Sequence, residues 1–168
     1  AVQGNLNSIA DLLASGYVSR PELLSAAREL LASIGESHSA FNSANILEAR
    51  GYAAECIDLS GWADPIARTI DERIQLALAD VGKTPAITFV TGYAKGTEGI
   101  MREFDRGYSE VTFSKVAVAV KAREAIIHKE FHLSSADPKI VGADKVVTVG
   151  NTNFDVADQL ADVGMEAI

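Results

Sequence analysis

The segment PAITFVTGY, residues 85–93, is apolar almost without interruption. Such a run is typical of a β-strand that is covered on both faces, as the strands of parallel sheets are. A shorter strand is predicted at YAAECIDLS, residues 52–60, and two more at REAIIH and DKVVTVG, residues 123–128 and 144–150. Helical patterns separate these strands. The alternation from residue 36 onward therefore predicts an α/β sandwich with a mostly parallel sheet.

The helices are predicted from their apolar period and from the residues that begin or end them. The clearest helix starts with a capping box of Ser19 and Glu22 and ends at Gly35, so a separate helix is expected to start at Glu36. The predicted helices cover residues 5–16, 19–35, 36–50, 65–80, 109–122 and 154–164, and residues 94–108 are predicted to form a loop.

Length and composition limit the class of protein. The 168 residues are enough for one domain with a buried core. The single cysteine, Cys56, cannot form an intramolecular disulfide, which favours a reducing compartment and a cytoplasmic location. The net charge of −8 argues against a nucleic-acid partner, because phosphate binding requires clustered Lys and Arg. No apolar run approaches the roughly 18 residues that a membrane span needs.

The stretch AIIHKEFHLSSADPK contains His128 and His132, four residues apart, with Glu130 between them. A zinc protease box needs both histidines on one helix with the glutamate directly after the first. Here Glu130 is one position late, His128 ends a predicted strand, and Ala136-Asp137-Pro138 is turn chemistry. No metal site is predicted from this pattern.

Polar groups gather instead at the predicted ends of strands and at one helix start. They are VTGY at residues 90–93, IIHKEFH at 126–132 and GESHSA at 35–40. Ligands of parallel α/β sheets bind beyond the carboxyl ends of the strands. The sequence therefore predicts a ligand site at this edge of the sheet.

Six blocks of the sequence occur in the order and spacing found in one family: GESHSA, ECIDLSGW, FVTGY, FDRGYSE, SSADPK and VGMEAI. With these blocks the chain resembles the catalytic domain of aspartate kinases, which belong to the amino-acid kinase family. The longer block AREAIIHKEFHLSSADP is similar to monofunctional aspartate kinases associated with ectoine biosynthesis. The resemblance covers essentially the whole chain.

The resemblance implies a three-layer α/β/α sandwich around a mainly parallel sheet. It also implies an enzyme that transfers the γ-phosphoryl group of ATP, with Mg²⁺, to the β-carboxylate of L-aspartate. Phosphoryl transfer depends mainly on positioning and charge neutralisation, so no protein nucleophile is expected and no catalytic residue is assigned.

Five substrate-binding residues follow from the matching motifs. Glu36 corresponds to the family's glutamate for the substrate ammonium, and Arg106 and Ser109 to the residues that hold the substrate carboxylates. Tyr93 falls at the aromatic position after the strand end, and Gly107 at a glycine of close approach. The assignments agree with the chemistry, since a zwitterion with two carboxylates needs an acid, a bidentate base and short donors.

Each polar assignment has a structural alternative. Glu36 could be a favourable charge in a first helical turn, and Ser109 could be an N-cap. Arg106 could form a surface ion pair with Asp105 or Glu103. The order of the motifs favours the functional reading.

The nucleotide side departs from the family pattern. His128 and Lys129 stand in the strand end where the family has W-T-D-V-D-G, and Ser134 and Lys139 replace a tyrosine and an arginine. We predict that these four residues contact the nucleotide. The lysine of the family's G-A-K-V-L-H-P motif is replaced by Glu166.

The phosphate-binding K-x-G-G strand of the family is not found before residue 35. Residues 1–168 are therefore expected to be part of a kinase domain, without its glycine-rich strand or a regulatory domain, and to lack turnover alone. Uncovered sheet edges would permit a homodimer. Two other functions stay open: a family member with another acceptor, such as a carbamate or acylamino-acid kinase, and a non-catalytic binding module.

Overall fold

The computed structural model describes residues 2–61, 64, 66–83, 86–100, 107–128, 134–136, 138–153, 155, 156 and 159. The chain divides into two compact units, residues 1–125 and 126–168. The first unit contains α1 (Val2–Ser15), α2 (Arg20–Ala49), β1 (Ala54–Ile57), α3 (Ile70–Ala77), β2 (Ile87–Val90) and α4 (Tyr108–Ala119). The second contains α5 (Pro138–Val141) and a 3₁₀ turn, Ala143–Lys145. Within the described ranges, no helix combines the length and apolar character of a membrane span.

The sheet is parallel, as the sequence predicts. β1 and β2 pair from Ala54 opposite Ile87 to Ile57 opposite Val90, and α3 forms the crossover between them. Among the described residues the sheet has these two strands, and α2 packs against both. The prediction of an α/β fold with a parallel sheet is confirmed.

The helix α2 runs without a break through Gly35, so the predicted separate helix from Glu36 is wrong. Glycine inside a helix costs about 0.5–1 kcal/mol relative to alanine, which is too little to end a helix that packs against a sheet. Gly35 keeps an ordinary negative-φ backbone, and the helix ends instead before Gly51, whose φ is +84°. As a result Glu36 lies in the middle of a 30-residue helix.

The exposed backbone of Gly35 gives a testable prediction. A Cβ at this position would meet no described atom within 4 Å. We expect Gly35→Ala to raise the free energy of unfolding by about 0.5–1 kcal/mol in urea denaturation. The same change at Gly51 should be destabilising, because φ there is +84°. A loss of stability in Gly35→Ala would contradict a continuous α2.

The helix starts also differ from the prediction. Ser19 Oγ bonds to the Glu22 carboxylate (2.5 Å) and no side chain caps the backbone there, so the predicted capping box is wrong. A complete capping box is formed by Thr69 and Glu72, and it starts α3 at Ile70 rather than at residue 65.

Both strands predicted in the later part of the chain are wrong. Residues 123–128 are irregular, with Ile126 and Ile127 60% and 49% exposed. Residues 144–150 contribute one isolated antiparallel bridge, between Thr148 and Ser134. A short apolar run predicts a strand only where a neighbouring strand is available to pair with it. The predicted helix of residues 154–164 lies mostly outside the described residues.

The buried core of the first unit lies between α3 and the carboxyl ends of the strands. Its buried side chains are Leu59, Ile70, Ile74, Leu78, Tyr93, Ala94 and Ile100. β2 itself is only half-buried, and Ile87 is exposed, so the predicted burial of this strand on both faces is wrong. The core therefore stabilises the segments that leave the strands, which is where a ligand site is expected.

Candidate functional site

Thr91 joins the ends of the two strands. Its buried hydroxyl accepts a hydrogen bond from the amide of Leu59 (3.0 Å) and donates one to the carbonyl oxygen of Tyr93 (2.9 Å). Leu59 follows β1 and Tyr93 follows β2, so one side chain fixes both exits from the sheet.

Glu36 and Ser109 meet at this edge although 73 residues separate them in the sequence. The Ser109 hydroxyl donates a hydrogen bond to Glu36 Oε1 over 2.8 Å. Both side chains also lie against Gly92, where an added Cβ would come within 2.7 Å of Glu36 Oε2 and 2.9 Å of Ser109 Oγ. A helix, a strand end and a second helix start therefore converge on one half-buried carboxylate.

The start of α4 depends on Gly107. This residue is the N-cap and has φ +80°, a left-handed conformation that glycine adopts without strain. Tyr108 and Ser109 follow as the first two helical residues, whose amides have no partner within the helix. Ser109 is thus neither the N-cap nor a mid-helix residue, and its hydroxyl projects beside free backbone donors.

Two tyrosines pack beside the Glu36–Ser109 pair. The rings of Tyr93 and Tyr108 are edge to face, with centroids 6.3 Å apart and planes at 74°. Tyr93 is only 5% exposed, and burial, a hydrogen bond with Glu29 and the charge of that carboxylate raise its pKa well above the ordinary value. Burial and the nearby charge of Glu36 also raise the pKa of Tyr108. Both hydroxyls are therefore protonated at neutral pH.

A groove of about 460 Å³ has Ser37, the residue after Glu36, in its wall. It runs between α2 and β1, and its walls include Ser37, His38, Asp58 and Cys56. Asp58 accepts hydrogen bonds from the Ser37 hydroxyl (3.2 Å) and from the amide of Ser60 (2.8 Å). Burial, and then the charge of Asp58, raise the pKa of the Cys56 thiol, which lowers its nucleophilicity at neutral pH.

Three of the predicted substrate-binding residues lie together: Glu36, Tyr93 and Ser109. Gly107 lies two residues before Ser109 and shapes the turn, whereas Arg106 lies outside the described residues. Gly92 was not predicted from the sequence as a site residue. The signal that could have marked Gly92 is the threonine–glycine pair directly after a strand.

The predicted nucleotide-binding residues belong to the second unit. His128 is exposed in an irregular segment, Lys139 is exposed on α5, and Ser134 is buried at the bridge with Thr148. Lys129 lies outside the described residues, as does His132. In the parts of the chain that the structure describes, no three His, Cys, Asp or Glu side chains cluster as metal ligands.

The sequence profile of the amino acid kinase family matches residues 4–168, and the chain belongs to this family. A particular relative is the aspartate kinase Ask_Ect of Stutzerimonas stutzeri (strain A1501), which is 53% identical over 163 residues. The alignment covers 97% of this chain and 34% of the relative, so the chain spans about a third of that protein's length. No solved structure gives a significant match.

Proposed function

We propose that the protein carrying this chain is an aspartate kinase. It transfers the γ-phosphoryl group of ATP, with Mg²⁺, to the β-carboxylate of L-aspartate and produces 4-phospho-L-aspartate. Membership of the amino acid kinase family and the similarity to a relative named aspartate kinase support the reaction class. The observation that carries the proposal is the 2.8 Å contact between Glu36 and Ser109 at the carboxyl edge of the parallel sheet.

The contact brings together two side chains that are suited to the two opposite charges of a zwitterion. The Glu36 carboxylate is suited to the substrate ammonium, and the Ser109 hydroxyl can turn from Glu36 to a substrate carboxylate. The free amides at the start of α4 favour an anion at the same point. Arg106, one residue before the N-cap Gly107, is proposed to bind a carboxylate as a bidentate partner.

The chemistry requires no protein nucleophile. An oxygen of the β-carboxylate attacks the γ-phosphorus, and the bond from that phosphorus to the bridging oxygen breaks. ADP leaves with the electron pair. Mg²⁺ would neutralise phosphate charge, and because it binds largely through phosphates and one or two carboxylates, it needs no all-protein cage. The contribution of this chain is to bind and orient the acceptor.

The proposal also covers the nucleotide contacts, the cellular location, the pathway and the assembly state. His128, Lys129, Ser134 and Lys139 are proposed to contact ATP. Residues 1–168 are proposed to be part of the kinase domain of a cytoplasmic enzyme that supplies aspartate-family or ectoine biosynthesis. The protein is also proposed to assemble as a homodimer.

Ser109→Ala in the full-length protein that carries these residues tests the acceptor site. We expect the KM for L-aspartate to rise about tenfold, because a hydrogen bond to a charged group is lost, while the KM for ATP stays unchanged. Ser114→Ala is a matched control, since this exposed serine lies on the same helix. Its hydroxyl donates a hydrogen bond to the Glu110 carbonyl oxygen (2.9 Å).

An acceptor screen of the same protein decides between the candidate functions. Phosphorylation of L-aspartate in preference to carbamate and acylamino acids is expected. A preference for another acceptor would overturn the assignment of aspartate, and phosphorylation of no acceptor would favour a binding module.

A further inference from the structure

The hydroxyl of Thr91 takes the place of a backbone carbonyl at the end of the β ladder. In a parallel ladder with the register of β1 and β2, the amide of Leu59 would bond to the carbonyl oxygen of Thr91. The preceding bond of this ladder is present and joins the Thr91 amide to the Ile57 carbonyl oxygen (3.2 Å). The next bond runs instead from the Leu59 amide to the Thr91 hydroxyl (3.0 Å). The side chain therefore completes the ladder, and the main chain leaves the sheet at this residue.

The same hydroxyl closes the loop that follows β2. It donates a hydrogen bond to the carbonyl oxygen of Tyr93 (2.9 Å), and Gly92 lies between the two residues. The amide of Lys95 then bonds to the carbonyl oxygen of Leu59 (2.9 Å). Leu59 thus holds the loop at both ends, through its amide at Thr91 and through its carbonyl at Lys95. Because Leu59 is fully buried, the loop is attached to the core rather than to the surface.

This loop brings the backbone of Gly92 against the Glu36–Ser109 pair. An added Cβ on Gly92 would come within 2.7 Å of Glu36 Oε2 and 2.9 Å of Ser109 Oγ. The fit is close enough that a small displacement of the loop would change the spacing of the pair, and a misplacement of about 1 Å can lower the efficiency of an enzyme about 100-fold. The position of Gly92 is set by Thr91, which directly precedes it.

Nothing replaces the Thr91 hydroxyl if it is removed. Thr91 is 1% exposed, so bulk water does not reach this point. Loss of the hydroxyl would leave the Leu59 amide and the Tyr93 carbonyl buried without this partner, which is unfavourable for both groups. The Leu59 amide can regain a partner by bonding to the Thr91 carbonyl oxygen, as in a regular ladder. That change extends the ladder and turns Gly92 out of its position.

We propose that Thr91 is a positioning residue of the acceptor site, whose hydroxyl ends the ladder and so holds Gly92 against Glu36 and Ser109. The inference rests on the proposed function, because the contact that it maintains is that of the proposed aspartate-binding pair. Thr91 acts through Gly92 and not on the substrate, since its side chain is buried. The hydroxyl is the required feature because it accepts one hydrogen bond and donates another.

Two substitutions in the full-length protein that carries these residues test the role. Thr91→Val keeps the branched shape and removes the hydroxyl, and we expect the KM for L-aspartate to rise about tenfold with the KM for ATP unchanged. Thr91→Ser keeps the hydroxyl, and its KM for L-aspartate should stay within about twofold of the unmodified protein. A tenfold rise in Thr91→Ser would overturn the proposal, because the methyl group would then be the required feature. Thr91→Ser alone decides in this way if Thr91→Val does not fold.

Thr112→Val is the matched control for Thr91→Val. Thr112 is also 1% exposed and lies on α4, the helix that carries Ser109. Its hydroxyl is buried and makes no hydrogen bond to any residue that the structure describes. The same substitution there should leave both KM values unchanged. An equal rise in the KM for L-aspartate in both valine variants would overturn the positioning role, since it would show a general effect on packing.

Hydrogen–deuterium exchange of the Leu59 amide gives a readout that does not depend on activity. Measured by mass spectrometry, it should be at least about tenfold faster in Thr91→Val than in the unmodified protein and unchanged in Thr112→Val. An unchanged rate in Thr91→Val would show that the hydroxyl does not hold the Leu59 amide, and the proposal would fall.

The two proposals fail in different ways. If the unmodified protein phosphorylates aspartate and Thr91→Val has an ordinary KM for L-aspartate, only the positioning role is lost. If the unmodified protein phosphorylates no amino acid, the proposed function is lost, and the positioning role is lost with it whatever the exchange rate of Leu59.

Discussion

Gly92→Ala is expected to raise the KM for L-aspartate by about 10- to 100-fold while leaving the fold intact. The added Cβ would lie 2.7 Å from Glu36 Oε2 and 2.9 Å from Ser109 Oγ, closer than real Cβ contacts allow. Both neighbours are ends of flexible side chains, so they can move aside at little cost in stability. The displacement separates the two groups that the proposed site needs together. Steady-state kinetics of the full-length protein with varied aspartate measure the effect.

Two other glycines serve as controls for Gly92→Ala. Gly35→Ala adds the same methyl group directly before Glu36, where no described atom is within 4 Å, and should leave the KM unchanged. Gly96→Ala would bring its Cβ within 2.8 Å of the backbone nitrogen of Ile70, which cannot move aside as a side chain can. It should therefore lower the free energy of unfolding. A normal KM in Gly92→Ala would argue that aspartate does not bind beside Glu36.

The convergence of Glu36 and Ser109 could be predicted because it follows from two strong features. The apolar run at residues 85–93 predicts a strand, and the carboxyl ends of parallel strands meet at one edge. The order of the family motifs then assigns side chains to that edge. Neither step needs the exact bounds of a helix, so the wrong break at Gly35 did not affect it.

The features of the fold that could not be predicted depend on the balance between the helix or strand propensity of a segment and the packing of that segment. Gly35 is a plausible helix end by composition, yet packing of α2 on the sheet outweighs its small helical penalty. Ile126 and Ile127 have strong strand propensity, yet no described strand pairs with them.

Arg73→Met is expected to lower the free energy of unfolding by about 1.5–3 kcal/mol, because it removes a buried guanidinium that is hydrogen-bonded to the segment after β2. Arg73 is 7% exposed, and its Nη1 lies 3.0 Å from Asp64 Oδ2. Its Nε donates a hydrogen bond to the carbonyl oxygen of Lys95 over 2.6 Å. The guanidinium also lies against Gly61, where a Cβ would come within 2.8 Å of Nη1. Arg73 thus joins α3 to the segments that follow both strands.

The same substitution at Arg68 provides the comparison for Arg73. Arg68 also pairs with Asp64, but it is more exposed and lies four residues away on the same segment, so Arg68→Met should cost less than about 1 kcal/mol. Urea denaturation followed by circular dichroism measures both. Equal losses would contradict the role of Arg73 as the buried link.

The pH dependence of the stability of Arg73→Met follows from the ionisation of Asp64. The pKa of Asp64 is lowered from its ordinary value of 3.8 by the amide of Ile66, and by Arg73 and Arg68. A lowered pKa means that the stability from this carboxylate is present above 3.8 and is lost as the pH falls through the lowered value. We therefore expect the difference in the free energy of unfolding between the unmodified chain and Arg73→Met to narrow as the pH falls below 3.8 and Asp64 becomes protonated. A difference that stayed constant on acidification would mean that Arg73 stabilises the fold through its hydrogen bond to Lys95 rather than through Asp64.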